Sequence, residues 1–397
     1  MHHRIRHGPV HALAHCIGTA TRKEPPPNSS MDAQQINISV YENLVPDFAE
    51  AELENLYGNI YSSLAQLRAC GNLEGINTYA VRDGDRPVCI LLFRRRKTKL
   101  QVVNEGMAIG EKEMRRFAEH MFATCSSLNL ISFHAIATDM RRLPFPHQRY
   151  NCLEDIVLAL PRTPQAYLAS MGKSTRSYIN RYMNKIRREL PTLRFQVHVN
   201  EEVSEQQLHD VIQLNKYRMA EKNKVWSIDG SERIVRLARS RGLTGIMEIN
   251  GRVCAGVVNF RAGDNYFLEL LSHDPAYNDY RLGTLCCYLT ICECITRGGR
   301  EYHFLWGQNE YKYRLLGVQR DLDHVAIYRS RAHMLLHADT ALNNTVKSAV
   351  RRTKVWRHHA QHGGRHDAAS RLALNILNRI STIKHHADGL LARQKQG

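Results

Sequence analysis

The residues best suited to chemistry lie in one run, NYFLELLSHDPAYNDYRLGTLCCYLTICECITRGGREYHFLWGQNEYKYRLLG (265–317). Its apolar patterning predicts strand, loop, helix, strand and loop, in that order. The helix starts near Gly283-Thr284 and ends at Gly298-Gly299, as start and stop signals require. A helix that opens just after a strand offers unpaired backbone N–H groups and the positive end of its dipole to an anion. Arg281, Leu282, Gly283 and Thr284 therefore form a candidate phosphate site. A pyrophosphate suits it, because a glycine there lets the phosphates approach the backbone. The same run holds the titratable residues Glu269, His273, Tyr280, His303, Tyr311 and Lys312.

Other chemistries find no support. The GKS at 172–174 is not a phosphate-binding P-loop, since Tyr167 stands where that motif needs a glycine. Neither a GxSxG elbow nor a GxGxxG fingerprint occurs. The ten cysteines include no CxxC pair, so free, mostly buried thiols are expected and no metal. HHxxHxxxH (358–366) is broken by Gly363-Gly364 and lacks a carboxylate, which favours a solvated tail over a metal site.

The elements that must position these residues repeat. TYAVRDGDRPVCILLF (78–93) and GIMEINGRVCAGVVNF (245–260) both read strand, tight turn, strand. A further strand follows each, KLQVV (99–103) and NYFLELL (265–271), and then a helix, around 111–125 and 283–297. Cys89 and Cys254 occupy matching places. We read a mixed α/β fold of two tandem lobes, 36–165 and 166–330, each a sheet flanked by helices. The strands 265–271 and 300–306, joined by a crossover helix, should form a parallel pair. LCCYLTICECI (285–295) reads as a buried core helix and falls short of the roughly 18 apolar residues of a membrane span. Helices are also expected at 174–190, 203–221 and 231–241.

The net charge of +17 invites a nucleic-acid reading, but its distribution weakens it. Residues 1–30 carry +3 and residues 331–397 carry +9, leaving +5 for the body. Residues 1–35 are expected to be disordered or an overextended start, with Met31 following the run PPPNSS. Residues 331–397 read as a basic, His/Arg-rich tail with weak helical patterning at 371–394.

At DPAYNDYRLGTLCCYLTICECITRGGREYHFLWGQNEYKYRLLG the sequence resembles the CelD-type (BcsL-type) acetyltransferases, a FemAB-like, BioF2-like branch of the GNAT superfamily. The matching elements are Asp274-Pro275, Tyr280, Gly283-Thr284, a strand ending in Gly307, and Tyr311-Lys312-Tyr313-Arg314. The basic helix STRSYINRYMNKIRREL (174–190) resembles the one that opens this family's domain. The likeness covers about 172–320 and fades over 36–165, which would be a degenerate GNAT-like lobe.

The resemblance implies acyl transfer from acetyl-CoA or another acyl-CoA to an amine of a polysaccharide or its sugar precursor, in the cytoplasm or at the inner face of the membrane. The pyrophosphate would lie at Arg281, Leu282, Gly283 and Thr284, and the acyl-pantetheine arm between two splayed parallel strands. A strand N–H would polarise the thioester carbonyl. The acceptor amine needs a base. Glu269 is the first candidate: Phe267, Glu269, Leu271 and His273 should share one face, and burial among apolar residues suits a carboxylate to that task. His273 would orient or replace it, and His303 is a third option. Tyr280 or Tyr311 would protonate the leaving thiolate, while Gln308, Lys312 and Arg314 would hold acidic substrate or phosphate groups. The sequence departs from the family at His303, at the loop Gly307-Gln308-Asn309-Glu310 and at Leu315, so the base and acceptor stay open. Two alternatives remain: a FemAB-like transferase using aminoacyl-tRNA, and a non-catalytic protein whose basic tail docks on an acidic membrane or nucleic acid.

Overall fold

A computed structural model describes residues 36–71, 73–221 and 229–362. The expectations for 1–35, for the glycine-containing end of the histidine run (363–366) and for the helical patterning at 371–394 lie outside these residues.

The first half contributes β1 (Ile36–Tyr41), α1 (Phe48–Tyr57), α2 (Leu64–Ala69), β2 (Asn77–Asp83), β3 (Arg86–Arg96), β4 (Lys99–Val102), α3 (Glu111–Thr124), β5 (Leu130–Ile136) and β6 (His147–Ala159). The connection carries α4 (Pro164–Ser170) and α5 (Lys173–Glu189). The second half repeats the order with β7 (Arg194–Val199), α6 (Glu205–Glu221), α7 (Asp229–Arg241), β8 (Gly242–Ile249), β9 (Arg252–Ala262), β10 (Asn265–His273), α8 (Leu282–Thr296) and β11 (Glu301–His303). It closes with α9 (Glu310–Arg314), β12 (Val318–Tyr328), α10 (Arg331–Leu336) and α11 (Ala338–His362).

The strands form one mixed twelve-stranded sheet in the order β1-β2-β3-β4-β5-β12-β6-β11-β10-β9-β8-β7. Read from either edge inward, the two halves have the same pairing. Three antiparallel steps are followed by a parallel one, β4 with β5 and β10 with β11. The sixth strand of each half is exchanged: β12 pairs with β5, β6 pairs with β11, and β6 and β12 pair antiparallel at the centre. Strand pairing therefore crosses the boundary expected at 165/166. The duplication read from the two hairpins is present, and Cys89 and Cys254 both lie buried on the matching strands β3 and β9. Asn250 and Gly251 take φ of 51° and 75°, the left-handed pair that a two-residue hairpin turn requires.

Buried contact on nearly every side explains why α8 is apolar around its circumference. Leu285, Cys286, Cys287, Ile291, Cys294 and Ile295 are all buried between the sheet and the connecting helices α4 and α5. Gly245 on β8 lets α8 lie close, because a Cβ there would sit 2.1 Å from Thr290 Oγ1. The described cysteines are free thiols, and burial pushes Cys287 up to about 12. In the first half α3 covers the sheet with Met114, Phe117, Ala118 and Met121. No described helix is long and apolar enough to cross a membrane, and no described group of side chains could hold a metal ion.

The start of the basic tail is structured. Helix α11 packs on β6, where Gln148 Nε2 donates to the Ala341 carbonyl at 3.1 Å and Arg351 pairs with Glu154.

The exchange makes the halves interdependent. Expressed alone, 166–330 would lose β6, expose the edge of β11 and leave β12 without β5. We expect no cooperative thermal transition from it, whereas 36–362 should melt cooperatively. A sharp transition in the isolated fragment would show that the exchange is dispensable.

Candidate active site

The parallel pair β10–β11 is short. Asn265, Tyr266 and Phe267 pair with Glu301, Tyr302 and His303, and there the pairing ends. Strand β10 continues to His273 against β9 alone. The other chain turns toward β6, with Phe304 N–H donating to the Ile156 carbonyl at 2.7 Å. Leu305 then enters the left-handed region at φ 58°. The carbonyls of Phe304, Leu305 and Trp306 converge on Lys312 Nζ at 2.8, 3.1 and 2.5 Å. A wedge thus opens between the strands, as the resemblance implied. Lys312 is buried at 3% exposure, and burial pushes its ammonium down to about 8 against opposing pull from Asp155 and Glu154. Its three donors are committed to the wedge loop, so the expected role as a substrate cation is replaced by a structural one.

The first half shows the same junction closed. Past Val102 the chain is laced to β5 by Gly106 N–H to the Ala135 carbonyl (2.7 Å), Ala137 N–H to Met107 (2.9 Å) and Ile109 N–H to Ala137 (2.9 Å). Helix α3 opens with Glu111 and Glu113 in its first turn, which disfavours an anion at that terminus. Helix α8 has no acidic residue in its first turn.

At the start of α8, Arg281 occupies the N-cap position at φ 55°, with its side chain exposed. A helix leaves its first N–H groups unpaired, here those of Leu282, Gly283 and Thr284. A cleft of about 380 Å³ lies beside them, lined by Ser174, Thr175 and Tyr178 of α5, Thr284 of α8, and Glu310, Tyr311 and Arg314 of α9. Arg314 pairs with Glu310 at the rim and is half exposed. The glycine at 283 answers a different need from the one expected. A Cβ there would stand 2.8 Å from His273 Nδ1, so Gly283 makes room for the imidazole rather than for phosphates.

His273 is not where the alternation placed it. A β-bulge lies between Leu268 and Leu270, so Glu269 is an extra residue opposite β9. Past the bulge the faces interchange. Leu271 packs with Leu268 on the α8 side, and His273 lies against Gly283 there, its Nε2 2.9 Å from Asn278 Oδ1. Phe267, Glu269 and Leu270 face α6 and α7. His273 therefore neither orients nor replaces Glu269, and belongs to the α8 start instead. Its Nδ1 is buried with no described partner.

Glu269 is only 11% exposed at its side chain, yet its surroundings are charged. Arg233 of α7 pairs with its Oε1, and the Tyr61 hydroxyl, from the first half, donates toward Oε2 at 3.5 Å. Tyr61 also stands 6.0 Å from Trp306, which is 53% exposed at the wedge loop. His303 stacks on Phe267 with ring centroids 4.2 Å apart. Its Nδ1 contacts Asp155 Oδ2 at 2.7 Å, and Nε2 lies 3.3 Å from Glu301. Burial pushes its imidazolium down, but the bonds to Asp155 and Glu301 outweigh this and leave it raised. The His303 bond, with Arg320, takes Glu301 down to about 2 against burial.

Tyr311 and Tyr280 separate. Tyr311 lines the α8 cleft and packs edge-on to Phe304, and burial raises its phenol. Tyr280 lies outside the cleft lining, with Lys185 Nζ 4.6 Å above its ring. Gln308 Nε2 donates to Gln319 Oε1 at 2.9 Å on the other side of the loop. Arg233, Tyr61 and Asp155 escaped the sequence reading because they are 36, 208 and 148 residues from their partners. Only the apolar period of 231–241 hinted that Arg233 sits on a helix facing the sheet.

Residues 173–313 match the family model described as an acetyltransferase (GNAT) domain. No curated protein matches the chain. A crystal structure of FemX superposes with a TM-score of 0.57 at 9% identity, covering 74% of this chain and 98% of that one. L-PGS from Bacillus licheniformis follows at 0.49 and 14%, covering 77% and 97%. A tandem GNAT protein from the clavulanic acid biosynthesis pathway gives 0.39 and 10%, covering 73% and 98%. Over residues 173–313 the chain is therefore similar to a GNAT acetyltransferase domain, and its fold is FemX-like.

The His303 network sets a pH signature. Glu301 contributes stability that is present above its ordinary 4.5 and is lost as pH falls toward about 2. His303 contributes stability that is complete below its ordinary 6.5 and fades as pH rises through its raised value. The pair should therefore stabilise most between 4.5 and 6.5. His303→Gln should flatten the loss on the alkaline side in urea denaturation, and an unchanged alkaline slope would contradict the assignment.

Proposed function

We propose that this protein is an acyl-CoA-dependent N-acyltransferase that uses the wedge between β10 and β11. The observation that carries the reading is the opening of this parallel pair after Phe267 and His303, beside the cleft at the start of α8. The pyrophosphate would accept hydrogen bonds from the N–H groups of 282–284, with Arg281 adding charge. The acyl-pantetheine arm would lie along the edge of β10 that β11 vacates, and a backbone N–H there would stabilise the oxyanion.

Glu269 is the base this arrangement favours. It stands at the bulge, is held by Arg233 and Tyr61, and faces the side lined by Trp306. The amine nitrogen attacks the thioester carbon, its proton passes to Glu269, the C–N bond forms and the C–S bond breaks. Tyr311 is the donor for the departing thiolate, because it lines the cleft whereas Tyr280 does not. The resemblance to CelD-type enzymes points to an amino sugar or related amine of polysaccharide or cell-envelope synthesis as acceptor. An acyl-CoA donor implies a cytoplasmic reaction.

A second reading, transfer from aminoacyl-tRNA, draws support from the exposed cations Lys173, Arg181, Arg187 and Arg188 of α5. It also draws on a basic cleft of about 450 Å³ lined by Arg94, Arg96, Lys99 and Lys347. Its sign would be tRNA binding that weakens steeply with salt, without any response to acyl-CoA.

Acetyl-CoA at about 100 times its Kd should stabilise the fold by about 2.7 kcal/mol and raise Tm accordingly. Thr284→Glu, which places a carboxylate in the cleft without the clash that any side chain at 283 meets, should abolish the shift. Absence of a shift with every short- and medium-chain acyl-CoA would refute the donor assignment. Glu269→Gln should keep the shift and lower kcat by about 10²–10⁴; full activity would remove it as the base.

A further inference from the structure

Helix α11 is apolar on the side that faces away from the protein. Its inner side meets the sheet through Ala341, Asn344 and Arg351, with Ser348 and Val355 half-buried on the same side. Its outer side carries Leu342, Val346, Ala349, Thr353 and Trp356, spaced alternately four and three residues apart, with Val350 adjoining. Leu342 is 66% exposed, Val346 51% and Val350 48%, and the preceding α10 adds Leu335 at 77% and Leu336 at 72%. Six of the twelve large apolar side chains that are exposed among the described residues therefore lie within 335–356. Scattered exposed leucines need no explanation, but a contiguous ridge does.

Cations border the ridge. Lys347 and Lys354 fall along one flank and Arg352 along the other, all exposed. Residues 331–362 carry a net charge of +5, with Asp339 their only carboxylate. Lys347 continues into the cleft that also holds Arg94, Arg96 and Lys99. A second copy meeting this face would bring +5 against +5. An apolar ridge with cations on both flanks instead matches an interfacial helix, whose apolar side sinks among lipids while lysines and arginines reach the headgroups.

We infer that the outer face of α10 and α11 docks this protein on an anionic phospholipid surface. The docking helix is linked to the wedge loop through β6: Arg351 pairs with Glu154, whose Oε1 accepts the Gly307 N–H at 3.3 Å. The inference is independent of the donor reading, since it rests on the ridge alone.

The test is sedimentation of the full chain with vesicles of phosphatidylcholine alone or with about 30 mol % phosphatidylglycerol. Wild type should pellet only with the anionic vesicles, and added salt should weaken the binding. Leu342→Glu with Val346→Glu should lower partitioning at least about tenfold while the thermal transition is kept, because both positions are exposed. The segment 363–397, with its net +4, is the same in both proteins and cannot produce the difference. The inference is overturned if wild type stays in the supernatant at low salt, or if the double variant pellets equally well. It is also overturned if wild type is a dimer that the double variant converts to monomer without lipid, which would assign the ridge to a second copy. Loss of vesicle binding with an intact response to acetyl-CoA separates this inference from the donor assignment.

Discussion

Backbone hydrogen bonds at the end of β11 decide what the fold can do. A chain leaving a central strand must satisfy its carbonyls elsewhere, because buried unpaired ones are costly. Here β6 takes part of the load through Ile156, and one buried ammonium, Lys312, takes the carbonyls of Phe304, Leu305 and Trp306. With those groups satisfied, β11 need not follow β10, and the wedge stays open. The first half solves the same problem differently, by lacing 106–109 to 135–137. One duplicated topology thus yields one open junction and one closed junction.

The closed half is not idle. It supplies β5 as the partner of β12, and its Tyr61 reaches both Glu269 and Trp306. The exchange of β6 and β12 fixes the halves on a common sheet, so a residue from one can be held within reach of the other. Asp155, on the exchanged strand β6, holds His303 in the same way. Both sides of the wedge therefore depend on contacts that cross between the halves.

Much of this was legible in the sequence, for physical reasons. The hairpins at 78–93 and 245–260, the apolar helix at 285–295 and the parallel crossover pair announce themselves through period, turn residues and length. The faces of β10 were not legible, because the bulge at Glu269 moves every later side chain to the opposite face, and alternation cannot register an inserted residue. Gly283 and Lys312 mislead for a related reason. A glycine at a helix start and a lysine in a loop look like ligand-binding residues, whereas one accommodates His273 and the other is turned inward onto carbonyls. The partners Arg233, Tyr61 and Asp155 become visible only when distant strands and helices meet.

In the proposed reading only the second half holds a donor site, at the open wedge and the start of α8. Hydrogen–deuterium exchange with and without acetyl-CoA tests it most directly. Exchange should slow in segments covering 268–272 and 281–285, with no change at the corresponding start of α3 around 110–114. Protection at α3 instead, or none at 281–285 under saturating acetyl-CoA, would contradict it.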